Sequence, residues 1–343
     1  MGETYRGAGV DVVAGEAAVR RIAPKVRSTY RPEVLGDIGG FGGLVALPAG
    51  YRSPVLVSST DGVGTKAVVA AAARRYDTIG VDLVAMCVDD VVCQGAEPLF
   101  LLDYVAVGAL DPDQVDALVS GVVEGCRQAG CALVGGEMAE HPGAMAPGDF
   151  DLVGFAVGVV ERDRVITGGA ARAGDVLIGL PSPGLRANGY SLARRVLLER
   201  SGLGLYDELY PGHLVVDELL RPSVVYAPAV TRLLGTVDVR AVAHITGGGL
   251  VGNLPRVLPP GVDAHLERSA WQVPRVFTEI QRLGAVADEE MARVFNLGLG
   301  MVVVVPPDDA GRARSVLAAA GHAAAEVGRL VPASGPGGRV HLR

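Results

Sequence analysis

Residues 58–66 form the chemically richest stretch of this sequence, because SSTDGVGTK combines a carboxylate, hydroxyls, two glycines and a lysine. The carboxylate of Asp61 is a hard oxygen ligand of the kind that magnesium prefers. Glycines let backbone N–H groups approach a phosphate, and the N-terminus of a helix favours negative charge. Lys66 is one of only two lysines in the chain. The stretch predicts a site for a magnesium-bound phosphate, and the alternative is a tight turn with a surface lysine.

A second glycine-rich stretch precedes the first. Residues 36–43 hold five glycines in eight positions. Regular structure is costly for such a segment, because glycine loses the most conformational freedom on folding. We therefore expect a mobile loop that closes over a ligand. The alternative is a plain turn before a strand predicted at residues 44–47.

The elements around these stretches must position their side chains. Residues 54–57 are expected to form a short buried strand before Asp61, and residues 67–73 a helix after Lys66. A further apolar helix is predicted over residues 82–92, interrupted by Asp89 and Asp90. Two adjacent carboxylates in an apolar segment are costly unless they are paired, solvated or bound to metal.

The clearest helix begins at Asp111 and Pro112, since aspartate caps helices and proline fits the first turn. Strands are predicted on either side of it, at residues 99–107 and 131–134. The second of these strands is expected to deliver the Gly-Gly-Glu sequence at residues 135–137 to its C-terminal edge.

Polar and glycine-rich residues around positions 166–174 predict a boundary between two domains, 1–167 and 168–343. Strands and helices alternate along the chain, so the fold class is α/β or α+β. The second domain's strands are predicted at residues 176–180, 239–245 and 301–305, and its helices at 190–200, 222–234, 250–257, 274–283 and 308–320.

The composition limits the possible classes of protein. With 343 residues, of which 49% are hydrophobic, the chain can form about two domains, each with a hydrophobic core. A net charge of −7 argues against a general nucleic-acid binder. No apolar run reaches the ~18 residues of a membrane span, and no signal-peptide pattern is visible. We expect a soluble cytoplasmic protein.

The chain has four cysteines, Cys87, Cys93, Cys126 and Cys131. Their spacing is not C-x-x-C, and Cys87 and Cys126 fall in apolar patterns. We expect buried free thiols, and the alternative is a zinc site.

A series of short segments resembles the aminoimidazole ribonucleotide synthetase family, also called phosphoribosylformylglycinamidine cyclo-ligase. The resemblance extends over nearly the whole chain and rests on the order and spacing of the segments. They lie at residues 9–11 (GVD), 31–35 (RPEVL), 39–43 (GGFGG), 60–66 (TDGVGTK), 77–80 (DTIG), 82–86 (DLVAM), 94–98 (QGAEP), 102–104 (LDY), 135–137 (GGE), 188–192 (NGYSL) and 243–249 (AHITGGG).

The resemblance implies a two-domain fold whose N-terminal domain contributes strands to a barrel at a dimer interface, with an α/β C-terminal domain. It implies a homodimer that uses ATP and Mg²⁺ on a small ribonucleotide substrate. In the implied reaction, ATP phosphorylates the formyl amide oxygen of formylglycinamidine ribonucleotide. The amidine nitrogen then closes the imidazole ring, giving aminoimidazole ribonucleotide, ADP and phosphate.

For the first domain, the resemblance implies a magnesium site formed by Asp61, Asp89, Asp90 and Glu137. Asp90 and residues 95–98 match an aspartate–four residues–Gly-Ala-x-Pro signature of the larger superfamily. Lys66 and Asp90 are implied to be catalytic, the lysine as a point charge on phosphate oxygens. The implied ATP-binding residues are Gly39, Gly40, Phe41, Gly42, Asp61, Gly62, Gly64, Thr65, Lys66, Asp90, Gly136 and Glu137.

For the second domain, the resemblance makes His244 a catalytic residue, as a polar contact or proton carrier. As a bare residue, His244 is equally consistent with a satisfied core histidine. The loop 246–249 is implied to hold the ribose phosphate at a helix N-terminus. The implied substrate-binding residues are Arg186, Asn188, Ser191, His244, Thr246, Gly247, Gly248 and Gly249.

One pair of residues departs from the family pattern, because Arg186-Ala187 stands where the family has His-Ser. Arginine stays protonated and cannot accept a proton, although it can bind a phosphate bidentately. The alternatives are therefore a paralogue acting on a related amide substrate in a specialised pathway, or a non-catalytic ATP-binding relative.

A different class of function is suggested by residues 247–252, which match G-x-G-x-x-G after a predicted strand. This pattern is typical of nicotinamide cofactor sites, with Asp263 or Glu267 as the ribose-binding acid. The match is weak in a chain with 48 glycines, and it leaves Asp61 and Asp90 unexplained.

Overall fold

The computed structural model describes residues 4–333, 335 and 337–343. The chain divides into two compact units, one comprising Met1–Val91 and Glu97–Glu161, the other Val92–Ala96 and Arg162–Arg343. Both units mix helices and strands, which confirms the predicted class, α/β or α+β. No helix within the described ranges is long and apolar enough to span a membrane. The roles predicted for domains 1–167 and 168–343 stay predictions.

The first unit is built on one sheet. Its elements are α1 (Val12–Arg27), β1 (Pro54–Gly62), α2 (Lys66–Ala73), α3 (Ile79–Cys93), β2 (Glu97–Val107), α4 (Pro112–Ala129), β3 (Ala132–Glu140) and β4 (Phe150–Glu161). The strands lie in the order β1-β4-β2-β3; β2 and β3 run parallel, and the other two pairs run antiparallel.

Helix α3 packs closely on one face of this sheet. A Cβ atom at Gly154 of β4 would lie 3.0 Å from Cys87 Sγ, and one at Gly158 would lie 2.4 Å from Val91 Cγ1. The two glycines therefore let the helix approach the strand. The opposite face carries large apolar side chains in the open, since Leu56 is 59% exposed and Phe155 is 41% exposed.

The second unit is built on a six-stranded sheet in the order β12-β9-β11-β5-β10-β8, in which β9 and β12 are parallel and the other pairs antiparallel. Its elements are β5 (Val176–Pro181), α5 (Tyr190–Arg194, continued by π-helical turns over Arg195–Arg200), β6 (Glu208–Tyr210), β7 (His213–Leu214), α6 (Val215–Leu219), α7 (Ala227–Leu234), β8 (Ala241–His244), α8 (Gly249–Asn253), β9 (Val262–Leu266), α9 (Arg275–Gly284), α10 (Asp288–Val294), β10 (Leu299–Val305), α11 (Ala310–Ala319), β11 (Ala325–Pro332) and β12 (Val340–Leu342).

The position of β8 argues against the nicotinamide alternative. The G-x-G-x-x-G match at residues 247–252 follows β8, which is an edge strand paired antiparallel to β10. A dinucleotide fold needs a parallel βαβ unit at this point. The glycines therefore belong to a different kind of loop.

Several sequence predictions need correction. The strand predicted as buried at 54–57 runs to Gly62 and is half exposed, because β1 is the edge strand of its sheet. The strand predicted at 44–47 is replaced by a single bridge between Val34 and Val45. The helix predicted from residue 222 begins at Ala227, since Pro228 lacks the N–H that an interior position requires.

The helix over residues 82–92 is also longer than predicted, and Asp89 and Asp90 do not interrupt it. Residues 135–137 lie inside β3 and not at its edge, because the strand continues to Glu140 along its parallel partner β2.

Candidate active site

Strand β1 and helix α3 bring Asp61 and Asp90 together. The Ser59 hydroxyl on β1 donates a hydrogen bond to Oδ2 of Asp90 on α3 at 3.1 Å. Both carboxylates lie near the buried thiol of Cys87, whose pKa is raised by burial and further by the negative charges of Asp61 and Asp90. Two of the predicted magnesium residues therefore lie around the same thiol, between β1 and α3.

The other two predicted magnesium residues lie elsewhere. Asp89 is fully buried on α3, and Glu137 is on β3. Within the described residues, no three His, Cys, Asp or Glu side chains form a metal-binding group. Magnesium held through phosphates needs only one or two protein carboxylates, so Asp61 and Asp90 fit such an ion. The four-residue magnesium site stays a prediction.

Lys66 is the first residue of α2 and is fully buried. Its Nζ lies 2.6 Å from Oδ2 of Asp82 on α3, which is fully buried as well. Asp82 was not among the predicted residues, although an aspartate in the first turn of an apolar helix is a visible signal. The ion pair joins α2 to α3, and the contact of Lys66 with phosphate stays a prediction.

The turn between β1 and α2 is shorter than the nine-residue stretch suggests. Because β1 extends to Gly62, residues 63–65 alone connect it to the helix. Gly64 adopts a left-handed conformation with φ of +55°, and Thr65 directly precedes α2. The predicted residues Gly62, Gly64 and Thr65 are therefore next to Asp61.

A cavity of about 410 Å³ in the first unit brings the glycine-rich loop to β3. The opposite wall is apolar and comes from α1 and α4, for example Val19 and Val119. Neither Asp61 nor Asp90 lines it. Six of the predicted ATP-binding residues do line it: Gly39, Gly40, Phe41, Gly42, Gly136 and Glu137.

Asp103 is a cavity residue that the predictions missed. The strand register places Asp61, Gly154, Asp103 and Gly136 in one row across the sheet. Burial raises the pKa of Asp103 to about 7, and its Oδ2 has no hydrogen-bond partner among the described residues. A Cβ atom at Gly136 would lie 1.9 Å from Asp103 Oδ1, so this glycine makes room for the carboxyl group.

In the second unit, the loop 246–249 joins β8 to α8. Gly248 and Gly249 adopt left-handed conformations, with φ of +102° and +58°. The side-chain amide of Asn253 donates to the carbonyl oxygens of Gly247 at 3.2 Å and Gly249 at 2.9 Å. These bonds hold the loop in a tight turn with Thr246 at its start.

Residue Arg186 comes close to His244 although the two are far apart in sequence. Its Nη2 lies 2.9 Å from His244 Nε2, and both side chains are buried. Asn188 lies beside Gly247, since a Cβ atom there would be 3.8 Å from the Asn188 amide nitrogen. The structure thus brings Arg186, Asn188, His244 and the glycine loop together, whereas Ser191 is exposed on α5.

The two units correspond to two family models. Residues 48–160 match the model of the AIR synthase related protein, N-terminal domain, and residues 172–341 match that of its C-terminal domain. The chain belongs to the AIR synthase related family. This confirms the predicted resemblance and fold class.

Curated relatives within this family match over nearly their full length. The phosphoribosylformylglycinamidine cyclo-ligase of Anaeromyxobacter dehalogenans is 55% identical over 338 residues, which cover 98% of both chains. The protein of the same name from Myxococcus xanthus is 53% identical over 339 residues, again 98% of both chains.

Solved structures share the fold of the AIR synthase related family at lower identity. Hydrogenase maturation protein HypE in complex with ATP has a TM-score of 0.66 at 21% identity, covering 95% of this chain and 91% of that chain. Thiamine-monophosphate kinase from Stenotrophomonas maltophilia has a TM-score of 0.66 at 18% identity, covering 94% and 95%.

Proposed function

We propose that this chain is an ATP-dependent cyclo-ligase that converts formylglycinamidine ribonucleotide into aminoimidazole ribonucleotide, ADP and phosphate. The observation that carries the proposal is 55% identity over 98% of both chains to a relative named phosphoribosylformylglycinamidine cyclo-ligase. We further propose that the enzyme acts in the cytoplasm, where purine nucleotides are made.

The chemistry follows from the poor leaving ability of an amide oxygen. When bound, ATP with magnesium supplies the phosphoryl group that turns the formyl oxygen into a good leaving group. The amidine nitrogen then forms the new C–N bond, and the C–O bond to phosphate breaks. The protein's contribution is mainly to position the reactants and stabilise charge.

In the first unit, Asp61 and Asp90 are the carboxylates that we assign to magnesium and the triphosphate. Their proximity to Cys87 and the Ser59 contact support this assignment. The cavity between the glycine-rich loop and β3 is our candidate for the rest of the nucleotide, because backbone N–H groups of glycines can approach a ligand closely. The HypE structure with ATP has the same fold and supports ATP as the ligand.

In the second unit, we assign the ribonucleotide to the region around Arg186, Asn188, His244 and the loop 246–249. A tight glycine turn presents backbone N–H groups, which suit phosphate oxygens. The replacement of the family's histidine by Arg186 leaves a permanent cation next to His244.

We also propose a homodimer paired through the first unit. Strand β1 is an edge strand, and the sheet face beside it exposes Leu56 and Phe155. Exposed apolar side chains on an edge strand are typical of a surface that pairs with another chain.

The test is an assay of purified protein with ATP, magnesium and formylglycinamidine ribonucleotide. We expect one ADP for each aminoimidazole ribonucleotide formed. ADP release without ring closure would contradict the proposal. So would the absence of any reaction with this substrate at ATP concentrations that saturate the enzyme.

A further inference from the structure

The contact between Arg186 and His244 fixes the protonation of the imidazole ring. A guanidinium group is a donor only and keeps its charge at neutral pH. Because Arg186 Nη2 lies 2.9 Å from His244 Nε2, that nitrogen must accept the hydrogen bond with its lone pair. We infer that Arg186 is a positioning residue that holds His244 as the neutral tautomer with its proton on Nδ1.

Two contacts hold the Arg186 side chain in place. Its Nη1 donates to the carbonyl oxygen of Val224 at 2.9 Å. Its guanidinium carbon lies 4.9 Å from the ring centre of Tyr226, a distance at which a cation is attracted to an aromatic face. The backbone of Arg186 is left-handed, with φ of +65°. Such a conformation is rare for a residue with a side chain, and it turns this residue out of the regular path of the loop.

Strand β10 contacts both Tyr226, which packs on Arg186, and His244. Tyr226 donates from its hydroxyl to the Pro181 carbonyl at 2.7 Å. A Cβ atom at Gly300 of β10 would lie 2.2 Å from the Tyr226 hydroxyl oxygen, so a glycine is needed there for the ring to fit. The next residue, Met301, pairs with His244 in the sheet. The sheet therefore sets the positions of Tyr226 and His244, between which the Arg186 guanidinium lies.

The inference deepens the proposed function and rests on it for the identity of the substrate. With Nε2 bound to Arg186, His244 acts as a hydrogen-bond donor through Nδ1 and not as a base through Nε2. The proton lost from the amidine nitrogen as the C–N bond forms must then leave by another group. Arg186 takes the position of a family histidine but acts here on the orientation and tautomer of a second histidine.

Nitrogen NMR of histidine side chains tests the inference without any assay of activity. Protein labelled with nitrogen-15 at histidine is recorded at pH 7, and the His244 signals are identified with His244→Gln. We expect wild-type His244 to show a protonated Nδ1 and an unprotonated Nε2. Wild-type His244 with its proton on Nε2, or with both nitrogens protonated, would overturn the inference.

Variants of Arg186 test whether the arginine is the cause. Arg186→Met is expected to abolish the preference for the Nδ1 tautomer, and Arg186→Lys, which keeps a charged donor, to retain most of it. Arg195→Met, at an exposed arginine on the following helix, is the matched control and should leave the signals unchanged. An unchanged His244 tautomer in a folded Arg186→Met protein would also overturn the inference. If that variant does not fold, the wild-type spectrum alone decides.

The role of Arg186 and the identity of the substrate are tested separately. If the wild type shows the Nδ1 tautomer but does not close the ring, the proposed substrate is refuted and the role of Arg186 stands. Ring closure with the Nε2 tautomer present would refute the role of Arg186 and leave the proposed function standing.

Discussion

Burial decides what the charged residues of the first unit can do. Asp90 is partly exposed and accepts a hydrogen bond from Ser59, and its exposed part can be reached by a ligand. Lys66 and Asp82 are fully buried against each other. A buried ion pair is costly to form and more costly to break, because the remaining partner keeps its charge in an apolar interior.

Replacing Asp90 with asparagine is expected to lower turnover by ~10²-fold or more, because it removes a negative charge from the predicted magnesium–phosphate site. Asparagine keeps an oxygen that can accept the Ser59 hydrogen bond, so the fold should persist. Asp151→Asn, at an exposed position on β4, is the control and should retain normal turnover. Turnover near that of the wild type in Asp90→Asn would remove Asp90 from the site.

Breaking the pair between Lys66 and Asp82 is expected to destabilise the protein. Lys66→Met leaves Asp82 charged and buried, and should lower the free energy of unfolding by ~3–5 kcal/mol. The double variant Lys66→Met with Asp82→Leu should lose clearly less, since it leaves no unpaired charge. Urea unfolding measures both. A double variant that loses as much as the sum of the two single variants would show that the two residues do not interact.

At the scale of helices and strands, local signals were predictable and long-range pairing was not. The helix predicted to begin at Asp111 is confirmed. The Asp111 side chain accepts a hydrogen bond from the N–H of Asp113, and Gly130 ends the helix with φ of +71°. Strands β9, β11 and β12 were missed, and so was α10. These short strands are stabilised by neighbours distant in sequence, which no local pattern reveals.

In the candidate site, too, local signals were predictable from the sequence and long-range contacts were not. The glycine loops and Asp61 are visible in sequence because glycine-rich turns and carboxylates are local signals. The partners of these residues are not: Asp82 lies beside Lys66, and Arg186 beside His244, only because the chain folds back on itself. Asp103 lies in one of the segments that resemble the family, but it was not predicted as a site residue, because a single carboxylate in the middle of a strand gives no local signal of a site.

The turn that begins α8 gives a test with a matched control. A Cβ atom at Gly249 would lie 2.0 Å from the Ala292 carbonyl oxygen, and its φ of +58° strains any side chain, whereas a Cβ at Gly252 meets nothing within 4 Å. Gly249→Ala should lower the free energy of unfolding by about 2 kcal/mol or more, and Gly252→Ala should change it by ~1 kcal/mol at most. Equal stability of the two variants in urea would contradict the packing of this turn.

At the scale of the whole molecule, the exposed apolar side chains of the first unit's sheet predict its assembly state. Phe155 is 41% exposed on that sheet. Light scattering should give about twice the chain mass of 35.3 kDa for the wild type. Phe155→Glu should give the monomer mass, because a charge buried at an interface is costly. Tyr206→Glu, at a 63% exposed aromatic in the second unit, should remain dimeric. A monomeric wild type, or a dimeric Phe155→Glu, would contradict the proposed pairing.

The fate of the formyl oxygen is the most direct test of the proposed reaction. Formylglycinamidine ribonucleotide labelled with oxygen-18 at the formyl group is converted with ATP and magnesium, and the released phosphate is analysed by mass spectrometry. If the enzyme phosphorylates that oxygen before ring closure, each phosphate formed with an imidazole carries the label. Unlabelled phosphate, with the label released to water, would contradict phosphorylation of the formyl oxygen.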